Sequence, residues 1–206
     1  MATIGLLSLI PPVVNRDLDT YPTAAITGFP PGETLGAVNA ANAVAERAQS
    51  DLTTAYNAAA SAPSTSNVTG VDLSGKTLTE GVYTASTGMT LGGTVPLTLD
   101  GNADSVWIFQ AGSTLTTASN SSVVFAGGAR ACNVFWQVGS SATLGTDTAF
   151  AGNVLALTSI TAGGSSGHHG GGAPGGGTSG QGGYGSGSSG PGQGSMPGCS
   201  TARMTH

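Results

Sequence analysis

The middle of the chain repeats itself, and this repeat constrains the fold more than any other feature. Residues 81–91 align with 105–115 at an offset of 24, residues 109–113 with 136–140 at an offset of 27, and residues 133–135 with 153–155 at an offset of 20. Repeats of about 20 to 30 residues are typical of solenoids, in which each coil buries its apolar face only by stacking on its neighbours. Because the segment is rich in Val, Thr, Phe and Trp and is interrupted by glycine, its coils are predicted to consist of β-strands.

The chain carries few charges, and this excludes several classes of partner. Its 206 residues suit one domain, and only 7% of them are charged, far below the roughly 25% of an average soluble domain. A net charge of −5 with five basic residues offers no basic patch for nucleic acid or anionic lipid. No apolar run approaches the roughly 20 residues of a membrane span, so we expect no membrane insertion.

A helix is predicted before the repeats. Apolar residues recur there every three or four positions and form one Ala-rich stripe: Val38, Ala41, Ala45, Ala48, Leu52, Ala55 and Ala59. The stripe predicts a helix over about residues 36–60 that packs along a flat surface of the solenoid; a partner-binding helix is the alternative. We therefore divide the chain into an extended N-terminal segment (1–32), a flanking helix (33–62), β-solenoid coils (63–162) and a tail (163–206).

The tail has a different composition from the rest. Of its 44 residues, 18 are glycine, so it cannot bury enough apolar area to offset its chain entropy and is predicted to be disordered. One of the two cysteines, Cys199, lies in this tail, and the other, Cys132, lies among apolar residues. We expect Cys132 to be a small core residue rather than the disulfide partner of Cys199.

Several blocks of the chain resemble the ice-binding-like (antifreeze) protein family. The blocks that carry the resemblance are Thr27-Gly-Phe-Pro-Pro-Gly32, Ala48–Asn57, Leu78–Tyr83, Trp107–Leu115 and Ala131–Thr146. The resemblance runs from about residue 13 to residue 161. It implies a discontinuous β-solenoid of triangular section with a long helix along one side, and a secreted protein. We predict a mainly β fold, a right-handed β-solenoid with one α-helix packed alongside, whose core includes Tyr83, Val106, Ile108, Phe109, Val134, Trp136, Val154 and Leu155.

Both ends of the chain depart from the family pattern. A signal peptide and a first β segment look cut short, and the glycine-rich tail replaces the last Thr-rich coil and closing strand of the family. Such an end is expected to leave an open coil edge, which favours pairing with another chain. The open coil edge is therefore a predicted site of self-association.

Threonines at alternate strand positions are the candidate functional residues. On stacked coils they would form a flat, uncharged lattice of hydroxyl and methyl groups that orders water. The resemblance also points to Thr117-Ala118-Ser119-Asn120, which fits the Thr-Ala/Gly-x-Thr/Asn motif of the family's ice binders. The predicted site comprises Thr84, Thr87, Thr90, Thr114, Thr116, Thr117, Ser119, Asn120, Thr143, Thr146, Thr148, Thr158 and Thr161.

These residues favour ice binding, with the ice crystal surface as partner. The alternative is a secreted adhesion or self-assembling module without ice activity, since threonine is also simply a good strand residue. We expect no enzyme and no cofactor, because the repeats lack clustered carboxylates or a nucleophile–base pair. Asp100–Asp104 imitates the start of a calcium loop, but Ser105 and Ala111 break the pattern and favour a plain turn. His168-His169 has no third ligand at useful spacing.

Overall fold

Short parallel strands make up most of the described part of the chain, which also contains one α-helix and one 3-10 turn. The computed structural model describes residues 3–6, 13–14, 17–26, 33–163 and 167–169, and only the backbone of 3–6, 13–14, 33–34 and 167–169. The strands are β1 Thr3–Leu6, β2 Val13–Val14, β3 Leu18–Thr20, β4 Glu33–Thr34, β5 Val38–Ala40, β6 Ser66–Asn67, β7 Thr77–Leu78, β8 Gly81–Ala85, β9 Met89–Leu91, β10 Leu97–Asp100, β11 Trp107–Ala111, β12 Leu115–Thr117, β13 Val123–Ala126, β14 Val134–Val138, β15 Ser141–Leu144, β16 Ala149–Ala151, β17 Asn153–Ala156, β18 Ser159–Ala162 and β19 Gly167–His169. The α-helix, α1, is Ala43–Ser61, and the 3-10 turn is Ala131–Asn133.

Fifteen of the described strands lie on three sides of a β-solenoid, and the chain visits the sides in the same order in each coil. The other four form two separate parallel pairs, β2–β4 and β3–β5. The helix-side sheet has the order β17-β14-β11-β8-β6, and the flat sheet has the order β1-β18-β15-β12-β9. The third side contains β13-β10-β7 and the β16–β19 pair, joined by a bridge between Ser122 and Ala149. This arrangement, with a helix alongside, confirms the predicted fold. The solenoid is discontinuous in sequence, because β1 from the start of the chain pairs with β18 near its end.

The register of the coils corrects two of the three predicted repeat offsets. Tyr83 pairs with Phe109, an offset of 26 rather than 24. Phe109 pairs with Trp136 at the predicted offset of 27. Trp136 pairs with Val154, an offset of 18 rather than 20. The last coil is shorter because Gly152 alone joins β16 to β17, with a φ of 113° that favours glycine.

An aromatic stack fills the interior of the solenoid. Tyr83 and Phe109 of neighbouring coils stack with centroids 5.4 Å apart, and Phe109 and Trp136 stack with centroids 4.0 Å apart. Phe150, in the same coil as Trp136, lies against it with centroids 5.0 Å apart and ring planes tilted by 45°. All four side chains are buried. Such rings contribute a large apolar area and specific geometry to a core. The stack therefore holds successive coils in one register.

Most of the predicted core is buried, and the exceptions are Val106, Ile108 and Val154. Of these, Val154 faces inward in register with Trp136 and packs against the core. Val134 and Leu155 are buried as predicted. Val106 is 42% exposed, so its assignment to the core is wrong. Ile108 and Val154 are only partly buried. Ile108 alternates with the inward-facing Phe109 along β11, so its side chain faces the helix side.

The helix begins later than predicted and packs on the helix-side sheet. Residues 33–40 contain β4 and β5 instead of helix, so Val38 and Ala41 do not belong to the helical stripe. Ala41 adopts a left-handed φ of 48°, and the Asn42 side chain then caps the helix by accepting the N–H of Ala45 at 2.9 Å. Ala45 and Ala59 are buried. The predicted role of the helix, flanking the solenoid, is thus observed with a shorter helix.

Two glutamines of the helix-side sheet attach the helix. The Gln110 amide donates to the carbonyl oxygens of Ala59 and Ala62 at 2.8 Å each, which satisfies groups at the helix C-terminus. The Gln137 amide donates to the Tyr56 hydroxyl at 2.6 Å. No helix in the described part of the chain is long and apolar enough to cross a bilayer.

The structure corrects one prediction about the tail and one about the cysteines. Gly163 bonds through its N–H to the Leu144 carbonyl, and the backbone of β19 pairs with β16, so parts of 163–169 continue the solenoid. The prediction of disorder for the rest of 163–206 falls on residues outside the described ranges. Cys132 is disulfide-bonded and only partly buried, so the expectation that it is a small core residue is wrong. Cys199, the other cysteine of the chain, lies outside the described residues.

Candidate functional site

Four threonines form one in-register row along the flat sheet, which we call the Thr row. Thr116 of β12 pairs with Thr90 of β9 and with Thr143 of β15, and Thr143 pairs with Thr161 of β18. All four side chains are exposed. They alternate with inward residues such as Leu115 and Ala142, which are buried. The strand alternation therefore directs every member of the Thr row to solvent.

A second outward row lies two residues earlier on the same strands. Register places Gly88, Thr114, Ser141 and Ser159 next to one another in it. The Ser159 and Ser141 hydroxyls are hydrogen-bonded at 3.0 Å. A Cβ at Gly88 would lie 2.7 Å from the Thr114 hydroxyl oxygen, so glycine leaves room for that hydroxyl. The flat sheet thus carries hydroxyls in two dimensions.

The surface chemistry of the flat sheet is uniform. None of the eight outward positions in the two rows is a charged residue. Within the described ranges, the Thr row hydroxyls make no side-chain hydrogen bond to protein, so they are available to water. Neighbours in a row are about 4.8 Å apart and residues two apart along a strand about 6.6 Å apart. Hydroxyls and methyls on this repeat can hold water in a regular array.

A carboxylate marks one end of the Thr row. Asp72 forms a bridge with Thr90, and its Oδ1 accepts the N–H groups of Gly92 and Ser74 at 2.9 Å each. Burial alone would raise the pKa of Asp72, but these N–H groups, the Ser74 hydroxyl and the charge of Lys76 outweigh it and lower the pKa. Asp72 is therefore ionised at neutral pH and holds the first coil against the flat sheet.

Five of the other predicted residues lie at the two corners that bound the flat sheet. Thr87 and Thr158 are exposed at the corner between the helix-side and flat sheets. Ser119, Asn120 and Thr146 are exposed at the opposite corner, in turns between the flat sheet and the third side. These residues flank the flat sheet but do not belong to its two rows.

Three predicted residues do not lie on the flat surface. Thr84 is on the helix-side sheet, where its hydroxyl donates to the Gln110 side chain. Thr117 and Thr148 are only 3% and 0% exposed and hydrogen-bond to each other at 3.1 Å. Their assignment to a surface is wrong, because Thr117 is the inward neighbour of Thr116 and Thr148 lies inside the next turn. The part of the family motif that faces solvent is therefore Ser119 and Asn120.

Several serines that lie at positions equivalent to the threonines were not among the residues predicted from the sequence. Ser141 and Ser159 continue the second row, and Ser113 and Ser140 lie between Thr87 and Thr158 at the corner. Backbone hydrogen bonds link this corner series, from Ser113 to Thr87 at 3.2 Å and from Ser140 to Ser113 at 2.7 Å. The correct coil offsets would have aligned these serines with threonines.

Comparison with known proteins identifies the family. The ice-binding-like family matches residues 8–172. An ice-binding protein of Nostoc sp. (strain HG1) is 50% identical over 151 residues, which cover 73% of this chain and 56% of that protein. An ice-binding protein of Flavobacterium frigoris (strain PS1) is 38% identical over 112 residues, which cover 53% of this chain and 40% of that protein. The crystal structure of an ice-binding protein from the Antarctic ascomycete Antarctomyces psychrotrophicus matches with a TM-score of 0.66 at 34% identity, covering 82% of this chain and 93% of that one.

The match extends over most of this chain but not over the whole of its relatives. The chain spans about half the length of the two curated relatives. The family match includes all of the flat sheet except β1. The resemblance predicted from the sequence is thereby confirmed: the chain belongs to the ice-binding-like family.

Proposed function

We propose that this chain binds the surface of ice crystals through its flat sheet and thereby restrains their growth. The observation that carries the proposal is the Thr row, four exposed threonines in register on one parallel sheet, with no charged residue in either outward row. Ordered water held by their hydroxyls and spaced by their methyls can join the lattice of an ice plane. Protein held at the surface in this way would block further growth of the crystal at that place.

The contact residues of this proposal are a subset of those predicted. Thr90, Thr116, Thr143 and Thr161 form the centre of the contact, and the second row extends it. Thr87, Thr158, Ser119, Asn120 and Thr146 lie at its margins. The mechanism is binding without catalysis and needs no cofactor, since hydroxyl, methyl and ordered water supply the whole contact.

An extracellular location is part of the proposal. The disulfide-bonded state of Cys132 supports this location, because disulfides persist in secreted proteins. Recovery of the native protein from culture medium would test it, and recovery only from the cytosol would count against it.

Thermal hysteresis and ice recrystallisation assays of the full chain test the activity. We expect a freezing point below the melting point and small, stable ice grains at protein concentrations where albumin has no effect. Absence of both effects in folded protein would overturn the proposal. Filaments or large particles by light scattering, together with absent ice activity, would instead support the adhesion or self-assembly alternative, which the relatives do not support.

A further inference from the structure

Three buried hydroxyls lie beneath the corner where the flat sheet turns to the third side. Thr117, Ser121 and Thr148 are 3%, 1% and 0% exposed. The Thr148 hydroxyl lies 3.1 Å from that of Thr117 and 3.4 Å from that of Ser121. They form one cluster shared by two coils, because Thr117 and Ser121 flank the turn after β12 and Thr148 follows the turn after β15.

The cluster holds the backbone of both turns. The Thr117 hydroxyl accepts the N–H of Gly145 at 2.9 Å. The Thr148 hydroxyl lies within hydrogen-bond distance of the carbonyl oxygens of Ala118, at 3.1 Å, and Gly145, at 2.8 Å. Every bond that crosses between coils fixes the distance between the two turns. A buried network that is fully satisfied makes such a junction rigid.

The two turns also share one backbone shape. Asn120 and Asp147 both adopt left-handed φ values, 60° and 55°. The Asn120 N–H donates to the Thr146 carbonyl at 2.9 Å, which stacks one turn on the other. Matched turns of this kind end β12 and β15 at equivalent positions.

The clamped turns lie directly after the centre of the Thr row. Thr117 follows Thr116, and Gly145 comes two residues after Thr143. A shift of either turn would therefore move one of these two threonines relative to the other. The preceding coil has no hydroxyl at this place: Leu91 pairs with Thr117, and Asp72 holds Gly92 instead.

We propose that Thr117 and Thr148 are positioning residues for ice binding, which fix the spacing of Thr116 and Thr143 from inside the protein without touching ice. The proposal rests on the proposed function of the flat sheet. An array that must match a crystal tolerates little displacement of its members, so small movements at this corner should reduce binding while the fold persists.

Isosteric removal of one hydroxyl tests the proposal. Thr148→Val keeps the shape but removes the hydroxyl that lies against the Ala118 and Gly145 carbonyls and the other two hydroxyls. We expect thermal hysteresis at equal concentration to fall by about threefold or more, while circular dichroism near the freezing point remains that of the parent. Thr148→Ser, which retains the hydroxyl, should restore hysteresis close to the parent value. Thr117→Val supplies a second variant should Thr148→Val fold poorly.

Ser105→Ala is the matched control. Ser105 is 3% exposed, and its hydroxyl accepts the Asn102 N–H at 3.1 Å at the corner away from the flat sheet. Its loss should lower the melting temperature but leave hysteresis unchanged. The proposal is overturned if Thr148→Val and Thr117→Val keep parental hysteresis, or if Ser105→Ala loses as much. Absence of hysteresis in the parent itself would instead overturn the proposed function.

Discussion

The ring of Phe109 stacks on the indole of Trp136 with centroids 4.0 Å apart and planes within 10° of parallel. The two rings occupy equivalent positions in neighbouring coils, because β11 pairs with β14 in this register. A slip of one residue would turn every side chain of a strand to the opposite face. The interior stack therefore supports the alignment of Thr116 with Thr143 on the outside of the same coils.

Truncation of this stack should destabilise the whole solenoid. We expect Phe109→Ala to lower the free energy of unfolding by about 3–5 kcal/mol, since it leaves a cavity between two rings. Chemical denaturation monitored by tryptophan fluorescence measures the loss. Val106→Ala is the control and should cost less than about 0.5 kcal/mol, because an exposed side chain contributes little. Equal losses for the two variants would contradict the role of the stack.

The one-residue corner at Gly152 should not tolerate a side chain. Its φ is 113°, and a Cβ there would lie 2.8 Å from the Trp136 indole nitrogen and 2.9 Å from a Val134 methyl. We expect Gly152→Ala to cost more than the roughly 1–2 kcal/mol of a left-handed conformation alone. Thermal unfolding measures the difference.

Gly128→Ala separates backbone strain from crowding. Gly128 has a similar φ of 102°, but a Cβ there would meet nothing closer than the Ala103 nitrogen at 4.0 Å. Gly128→Ala should therefore lower the melting temperature less than Gly152→Ala does. The opposite order would contradict the close packing of Trp136 against Gly152.

The sequence predicted the architecture well because the strongest signals came from long, repeated blocks. The offset of 27 that pairs Phe109 with Trp136 was correct, because aromatic and glutamine residues recur together in both strands. The offset of 24 was wrong because it aligned Gly88 with Gly112. These glycines serve different purposes: a Cβ at Gly112 would meet the carbonyl of Ser86, whereas a Cβ at Gly88 would meet Thr114.

The site was predicted less well than the fold, and the reason is geometric. The alternation of side chains between inside and outside holds only while the chain stays extended. It cannot be carried across a corner of the solenoid, because the turn changes which positions face inward. Thr116 and Thr117 are adjacent in sequence, yet one is exposed and the other 3% exposed. Likewise, Thr143 faces solvent while Thr148, beyond a turn containing the left-handed Asp147, faces inward. Counting threonines cannot reveal where the turns fall.

Stability should decline in acid partly through Asp72. Its pKa in the folded protein is lowered, so its contribution is present above the unfolded pKa of about 3.9 and is lost as pH falls through the lower folded value. Asp72→Asn should melt below the parent near neutral pH, and the two melting temperatures should converge in acid. Calorimetry across this range measures the gap. A gap that does not change with pH would contradict the assigned role of the carboxylate.

Ice binding itself should depend little on pH. The outward positions of the flat sheet carry no titratable group, so their contact with ice involves no charge. We expect thermal hysteresis to stay constant between about pH 5 and about pH 9, where the fold is stable. A sigmoidal dependence on pH would indicate that an ionisable group outside the two rows takes part in the contact.

The central claim, that ice is bound by the Thr row, is tested most directly by one bulky substitution on each of two sides. Thr116→Tyr places a ring in the middle of the row, whereas Thr77→Tyr places the same ring on the exposed edge strand of the third side. Thermal hysteresis of both variants is measured against the parent at equal concentration. The account predicts that Thr116→Tyr loses most of the activity and Thr77→Tyr keeps it; retention by Thr116→Tyr, or loss only in Thr77→Tyr, would contradict it.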